Sequence, residues 1–466
     1  MPVPVKKITK NEPYEADGYT ETVDYTILQC SNVDGNANKY YCIELQHSPE
    51  RNDYRVYTEY GRIGNFPARD LREHLSKEQA EKEINKIVKS KSREKTKKRS
   101  DGSTHREKYE QVEVAAPTVG SPNIKVGESN AVTLKTKNGN GSHFREAFQT
   151  MDYSASVKTL LTELLAENIH NIQANTSVTV TRGGLETPLG PVTPEHLDKA
   201  RTTLNDIQAM DQRKPENNEL RRLNTKYFSL IPRQFGRRIT DADLIITDDT
   251  IDKEYDLLRG MEAAVSVGDV KEDKDQRASL GLHVEELPST DPLWNKLKKQ
   301  VDSTRRHNDI TNWHVNRIFG MKNEKEDKGF RNPDSDGPVL DLFHGSANTN
   351  ILSIMMGGYY IPPTTASHVT GRMFGNGVYG ASSSTKSLRY SIGLWGGAKA
   401  SKRAFLFVVR FGMGKVYETF TTRSQGAPSG YHSIHAKAGR QLINDEYIVY
   451  NTNQTKNMFL IEMVRK

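Results

Sequence analysis

A chain of 466 residues is too long for one ordinary domain, so two to four domains are expected. Hydrophobic residues at 35%, charged residues at 27% and a mean hydropathy of −0.72 allow folded cores but require exposed linker or polar modules, and a net charge of +7 is mild enough that its placement matters more than its size. No apolar run approaches the roughly 20 residues of a membrane span and the first residues lack a secretory apolar core, so a soluble, intracellular protein is expected, and Cys30 and Cys42 are too few for a disulfide framework or a cysteine-rich zinc site.

The first block, from about Asp24 to Val114, reads as strand. DYTILQC, KYYCIEL and DYRVYTEYGRIG are rich in Tyr, Ile, Val and Thr, with turn residues over Asn32–Asn38 and Pro49–Asp53. One helix follows, with Ser76 as N-cap and Ala80, Ile84, Ile87 and Val88 at helical spacing. It ends in a basic run, Lys86 to Arg99, holding eight Lys/Arg and one acid. From about Ala115 to Ser142 the chain turns to Gly, Asn, Ser, Thr and Pro without periodicity, as a linker does.

A helical block comes next. Val157, Leu160, Leu161, Leu164 and Leu165 form an i, i+3, i+4, i+7, i+8 stripe. After the turn Pro188-Leu189-Gly190, Thr193 caps a helix with Pro194 at its first position and an apolar face of Leu197, Ala200, Leu204 and Ile207. A further helix carries Leu220, Leu223 and Tyr227 up to the break at Pro232, and a fourth covers Asp248 to Val265. From about Ala278 onward short β-runs dominate: PVLDLFHGS, KRAFLFVVRF, KVYETF, NDEYIVYN and NMFLIEMV. The fold class is therefore multidomain α+β, with a small β-rich first domain, an all-α second and a mainly β third.

Chemistry concentrates in the last block. His344-Gly345-Ser346 follows an apolar strand, GRMFGNGVYG contains Tyr379, Thr385 to Tyr390 reads TKSLRY, and Asp445 to Tyr450 reads DEYIVY. Each piece alone is weak, because a histidine or a glutamate at a strand end is usually structural. In this order and spacing, together with IPP at Ile361–Pro363 and VTGRMFGNGVY at Val369–Tyr379, they resemble the catalytic domain of the poly(ADP-ribose) polymerases. These are diphtheria-toxin-like ADP-ribosyltransferases. MDYSASVKTLLTELL, TPLGPVTPEHLDKA and KYFSLIPRQFG resemble the helical regulatory domain of the DNA-dependent members, and YTEYGRIG resembles their WGR domain. The resemblance covers about nine-tenths of the chain. It implies an N-terminal segment at 1–14, a WGR-like DNA-binding domain at 15–115, a linker at 116–143, a helical autoinhibitory domain at 144–272 and a catalytic domain at 273–466.

The resemblance implies an H–Y–E catalytic set of His344, Tyr379 and Glu446, with NAD+ as co-substrate and no metal. Tyr379 and Tyr390 would stack the nicotinamide, the Gly345 backbone and the Ser387 hydroxyl would hold its carboxamide, and His344 and Ser346 complete the NAD+ contacts. The residue types suit the chemistry. Aromatic faces favour the cationic ring, and a carboxylate at Glu446 can stabilise the oxocarbenium-like ribose and polarise the acceptor. Met373 occupies the acceptor-binding position. The family also implies DNA strand breaks as the activating partner, contacted by Tyr60 and Arg62 in the triplet Tyr60-Gly61-Arg62, where Tyr replaces the usual Trp. Its aromatic ring could stack on a nucleotide or pack within a strand. The basic run could contact phosphates, act as an import signal or remain a solvated helix end. Acceptor proteins, the chain itself and an accessory factor for acceptor choice are the other implied partners. The compartment is nuclear for a eukaryotic source and otherwise cytoplasmic or nucleoid-associated.

Two departures concern polymer formation. Asn444-Asp445 precede Glu446 where polymer-forming members have Tyr-Asn, and only about 27 residues separate Glu418 from Glu446. The expected function is a DNA-break-activated transferase that modifies proteins and extends the chain. Alternatives are a mono-ADP-ribosyltransferase and a catalytically silent DNA-end-binding scaffold.

Overall fold

The computed structural model describes residues 3–8, 17–98, 104–112, 148, 151–181, 184–210, 213–236, 238–268, 280–306, 310, 312–362, 373–393, 402–439 and 441–466. The expected linker at 116–143 and the first four residues of Val369–Tyr379 lie outside them. Two compact units result: Met1–His143 with His170–Met261, and Phe144–Ile169 with Glu262–Lys466. These units cut across the domains that the resemblance implies, because two long helices run from one unit into the other.

The first unit begins with β1 (Lys6–Ile8), β2 (Glu21–Asn32), β3 (Ala37–Ser48), β4 (Asp53–Arg62) and β5 (Ala68–Leu75), followed by α1 (Lys77–Lys91). Then come β6 (Lys95–Lys98), β7 (Thr104–Glu107) and β8 (Glu110–Gln111). Six strands form one sheet in the order β1-β5-β4-β3-β2-β8. The α1 start is a capping box: Ser76 Oγ accepts the Gln79 N–H at 3.3 Å, and the Gln79 side chain accepts the Ser76 N–H at 2.9 Å. Ala80, Ile84 and Ile87 then pack on Leu28, Tyr41 and Ile43 of the sheet, each buried isoleucine contributing about 1.5–3 kcal/mol. The basic run splits between α1 and β6, and Lys97 of β6 pairs with Glu107 at 2.8 Å.

The helical part comprises α2 (Ala155–Asn175), α3 (Pro194–Gln208), α4 (Asn218–Leu230) and α5 (Asp248–Gly268), with α2 and α5 crossing the division. Thr193 caps α3 ahead of Pro194, as expected. The block is not purely helical: β9 (Thr179–Thr181), β10 (Gly184–Thr187) and β11 (Gly190–Pro191) make a three-stranded meander around the Pro188–Gly190 turn. Strands this short lack the alternation that would announce them. Within this unit the strand block and the helical block touch directly. Leu189 joins the Ile27, Tyr40, Cys42 and Ile63 cluster, the Asn38 amide donates to the Arg233 carbonyl at 2.9 Å, and Arg221 pairs with Asp34.

In the second unit the α2 stripe Val157, Leu160, Leu161, Leu164 and Leu165 is wholly buried. Its remaining elements are β12 (Leu282–Glu286), α6 (Pro292–Ser303), β13 (Trp313–Asn323), α7 (Glu324–Gly329), β14 (Val339–Gly345), α8 (Asn348–Gly357), β15 (Val378–Gly380) and α9 (Ser384–Ser391). They are followed by β16 (Arg403–Gly412), β17 (Val416–Thr419), β18 (Ser433–Ala436), β19 (Glu446–Val449) and β20 (Thr455–Arg465). One sheet runs β12-β13-β20-β16-β14 and a second β15-β19-β18-β17. Buried Glu462 ties α2 to the larger sheet. It accepts from Arg317 at 2.6 Å and forms an ion pair with Arg403 at 2.6 Å, while Arg317 reaches Ser156 at 3.1 Å and Arg403 reaches Glu163 at 2.5 Å. Burial alone would raise the Glu462 carboxyl, but these guanidinium groups hold it below the ordinary value.

Candidate active site

The site lies where the two sheets of the second unit join. β14 is an edge strand of the larger sheet, pairing with β16 so that His344 faces Phe407 and Gly345 faces Leu406. Just beyond β15, Ala381 exchanges both backbone hydrogen bonds with Phe343, each 2.9 Å. That bridge brings Tyr379 beside His344. His344 Nδ1 lies 2.8 Å from the Tyr379 carbonyl oxygen. A carbonyl can only accept, so Nδ1 carries the hydrogen.

The Tyr379 ring is pinned by its hydroxyl, which donates to the Gly375 carbonyl at 2.7 Å and accepts the Phe374 N–H at 3.1 Å. Its aromatic face is thereby fixed in orientation. Helix α9 begins at the cap Ser383 and packs against the end of β14. The Ser387 hydroxyl donates to the Phe343 carbonyl at 2.9 Å and keeps lone pairs for another donor. A Cβ on Gly345 would lie 1.9 Å from the Ser387 carbonyl oxygen, so the close approach of α9 to β14 tolerates no side chain at Gly345. Ser346 accepts from the Asn350 amide at 3.3 Å. Tyr390, one turn beyond Ser387, is 40% exposed.

Glu446 opens β19, whose partner β15 pairs Tyr379 with Ile448, two residues along. Alternation puts Glu446 and Ile448 on one face of that strand. Glu446 is buried and forms an ion pair with the ammonium of Lys386, the residue before Ser387. Burial pushes the Lys386 pKa down to about 8. The adjoining carboxylate favours the charged ammonium. The motif TKSLRY by itself assigns Lys386 no role. The signal was present: a lysine flanked by Thr385 and Ser387 in a short helix whose small side chains are buried.

Asp445 points to the opposite face. Its carboxylate accepts the Ala438 N–H at 2.9 Å and pairs with His435 Nε2 at 2.8 Å, while His435 Nδ1 lies 3.5 Å from Glu418. Met373 is 37% exposed, and its carbonyl accepts the Arg423 N–H at 3.0 Å.

Tyr60 and Arg62 belong to the first unit. The Tyr60 ring stacks on Tyr41 with centroids 4.8 Å apart, and the Lys91 ammonium lies 4.2 Å from the Tyr41 centroid. Arg62 donates to the Asn36 carbonyl at 2.9 Å, the Asn36 side chain at 3.2 Å and the Gly236 carbonyl at 3.2 Å, linking β4 to the segment after α4. Among the described residues no group of three or more His, Cys, Asp or Glu could hold a metal ion, and no helix is long and apolar enough to cross a membrane.

Comparison with known proteins matches three family models in chain order: the WGR domain over 25–103, the poly(ADP-ribose) polymerase regulatory domain over 155–283 and the poly(ADP-ribose) polymerase catalytic domain over 293–441. Glu446 lies just beyond the last match. Among similar proteins, the human protein mono-ADP-ribosyltransferase PARP3 is 21% identical, with 94% of this chain and 87% of that protein covered. Human poly [ADP-ribose] polymerase 2 is 23% identical over 94% of this chain and 79% of its own length. Poly [ADP-ribose] polymerase 1 of Arabidopsis thaliana is 23% identical over 99% of this chain, which spans 49% of that protein.

Proposed function

Because the chain belongs to the poly(ADP-ribose) polymerase family and is an NAD+ ADP-ribosyltransferase, we propose that it transfers ADP-ribose to protein side chains, including its own, and extends the first unit into polymer when DNA strand breaks are bound. The observation that carries this reading is the buried Glu446–Lys386 pair, set beside Ser387 and on the strand paired with Tyr379. Gly345 and Ser387 orient the carboxamide of nicotinamide, and Tyr379 and Tyr390 offer aromatic faces to the cationic ring. His344 Nε2 accepts a ribose hydroxyl, and Ser346 borders the same nucleotide. Glu446 stabilises the developing oxocarbenium charge and polarises the acceptor hydroxyl, Lys386 keeps Glu446 ionised, and Met373 contacts the acceptor. Incubation with labelled NAD+, with and without nicked, 5′-phosphorylated DNA, tests the reading. Label that stays out of protein under both conditions overturns it.

One observation favours a second reading, transfer of a single unit. Asp445, at a departure from the polymer-forming pattern, is committed to His435 and the Ala438 N–H rather than turned toward Glu446. One similar protein is named a mono-ADP-ribosyltransferase. Polymer ladders against a single mass increment per site separate the two.

DNA control is proposed to enter through β4. Arg62→Ala is expected to raise the DNA concentration for half-maximal activation roughly tenfold, the worth of one charge-assisted hydrogen bond. Activity at saturating DNA should change little, and DNA affinity should fall steeply with salt. An unchanged DNA titration would move the DNA site to the basic run from Lys86. Higher activity without DNA would show instead that the Gly236 contact is what matters.

A further inference from the structure

A polar chain runs from α7 to His344, and the chemistry above makes no use of the members that precede His344. Asn323 caps the six-residue α7 by accepting the N–H groups of Lys325 at 3.0 Å and Glu326 at 3.3 Å. Its amide donates to the carbonyls of Met355 and Met356, both at 2.9 Å, which fastens α7 to the end of α8. Glu326 then accepts twice from Asn457 of β20: from the backbone N–H at 3.0 Å and from the side-chain amide at 2.8 Å. Asn457 is 1% exposed, and its Oδ1 accepts the Tyr359 hydroxyl at 2.8 Å. The Tyr359 ring stands edge-on to His344, centroids 4.8 Å apart at 74°.

The polarity of this chain is set at one end. An ionised carboxylate only accepts, so the Asn457 amide must donate to it, its oxygen must face away, and the Tyr359 hydroxyl must donate in turn. Gly358 makes room for the arrangement. Its φ is +69°, and a Cβ there would lie 2.9 Å from Glu326 Oε1, so the carboxylate abuts the backbone just before Tyr359.

We propose that Glu326 is a positioning residue for NAD+ binding, acting through Asn457 and Tyr359 on the His344 ring, and that its ionised form seats that ring. The proposal rests on the reading of His344 as a nucleotide contact. A protonated or amidated head gains a donor. Asn457 can then turn over, offer N–H to the Tyr359 hydroxyl and release the ring from its single orientation. Burial raises the Glu326 carboxyl to about 7. Asn457 opposes the rise, Asp327 on the same helix adds to it, and Lys456 of β20, paired with Asp327, also opposes it. On α7 itself Glu324 is paired with Lys328 at 3.1 Å and lies 3.8 Å from His283 of β12, and Lys325 is exposed. The end of α8 brings the Met355 and Met356 carbonyls and the Gly358 backbone. Ionisation above this pKa means that NAD+ binding tightens as pH rises through neutrality.

The test is the KM for NAD+ of the full-length, DNA-activated enzyme between about pH 6 and about pH 8.5. Wild type should show KM falling about three- to tenfold across that range, the worth of one net hydrogen bond. Glu326→Gln should raise KM by the same factor at the alkaline end and flatten the profile, with kcat within about twofold. Tyr359→Phe keeps the ring and removes the hydroxyl; it should give the same flat profile, and adding Glu326→Gln should change nothing more. Wild-type profiles in both folded variants, or additive effects in the double variant, overturn the proposal. His344→Ala separates the two levels. Raised KM in that variant beside unchanged Glu326→Gln and Tyr359→Phe sinks the relay alone, whereas an unchanged KM in it sinks the reading of His344.

Discussion

Glu446→Gln is expected to reduce ADP-ribosyl transfer close to a thousandfold, about 3–4 kcal/mol of transition-state stabilisation, while a nicotinamide mimic still binds. The two readouts part because the ring contacts assigned to Gly345, Ser387 and Tyr379 are built without Glu446. Ser387 is anchored to Phe343, and Tyr379 to Gly375 and Phe374. In the reaction the charge of Glu446 matters as positive charge develops on the ribose. Product yield at the wild-type level would remove Glu446 from the catalytic set, and lost binding of the mimic would make its role structural.

The same substitution has a consequence for stability, because it strips Lys386 of its counter-charge. Burial already brings Lys386 to about 8 from an ordinary 10.5, and without the carboxylate the folded-state pKa drops further. A base whose folded pKa lies below its unfolded value binds more protons when unfolded, so stability rises with pH between the two values. Glu446→Gln should therefore melt furthest below wild type near neutrality and recover toward pH 10. Lys386→Met in the same chain should remove that pH dependence without restoring activity. A variant equally stable at both pH values would mean that the pair does not hold Lys386 charged.

What could be read in advance divides along physical lines. Ser76 as an N-cap, Thr193 with Pro194 and the Val157–Leu165 stripe are local patterns whose meaning is complete within one or two turns, and each forms as expected. His344 and Glu446 sit at strands whose apolar runs announce them, whereas Tyr379, in a three-residue strand, is singled out by the resemblance alone. Lys386 was not legible, since its partner lies far along the chain on a strand of another sheet. Neither was Glu326, in a helix too short to show periodicity, nor the tie from Arg62 to Gly236. Those depend on which elements meet, which local pattern does not encode.

The other large effect concerns the helical block. Deleting about Phe144 to Gly268 should give high nicotinamide release with no DNA present, and Leu161→Ala a partial version of it. The second unit supplies a reason within its own contacts. Along α2, Ser156 and Glu163 engage Arg317 and Arg403 of the larger sheet. Glu167, one turn further on, has its carboxyl raised by burial, opposed by Arg403 and by Asn348 at the start of α8. Asn348 follows His344-Gly345-Ser346 by two residues, so α2 bears on the segment that leads out of the proposed NAD+ contacts. A helix docked there can act as a brake if its docked state binds NAD+ poorly, and DNA can release it only by favouring the undocked state. Leu161 is fully buried, and truncation to Ala at such a position costs about 2–5 kcal/mol. Where the undocked state holds about 1% of molecules, about 2.7 kcal/mol is a hundredfold and makes it comparable to the docked one. Arg317 and Arg403 keep Glu462 as a partner when α2 is removed, so the deletion strands neither guanidinium without a carboxylate. The deletion variant is compared with the full chain by thermal melting and by nicotinamide release with and without nicked DNA. A folded deletion variant that still waits for DNA would mean that the brake lies elsewhere than in α2 to α5.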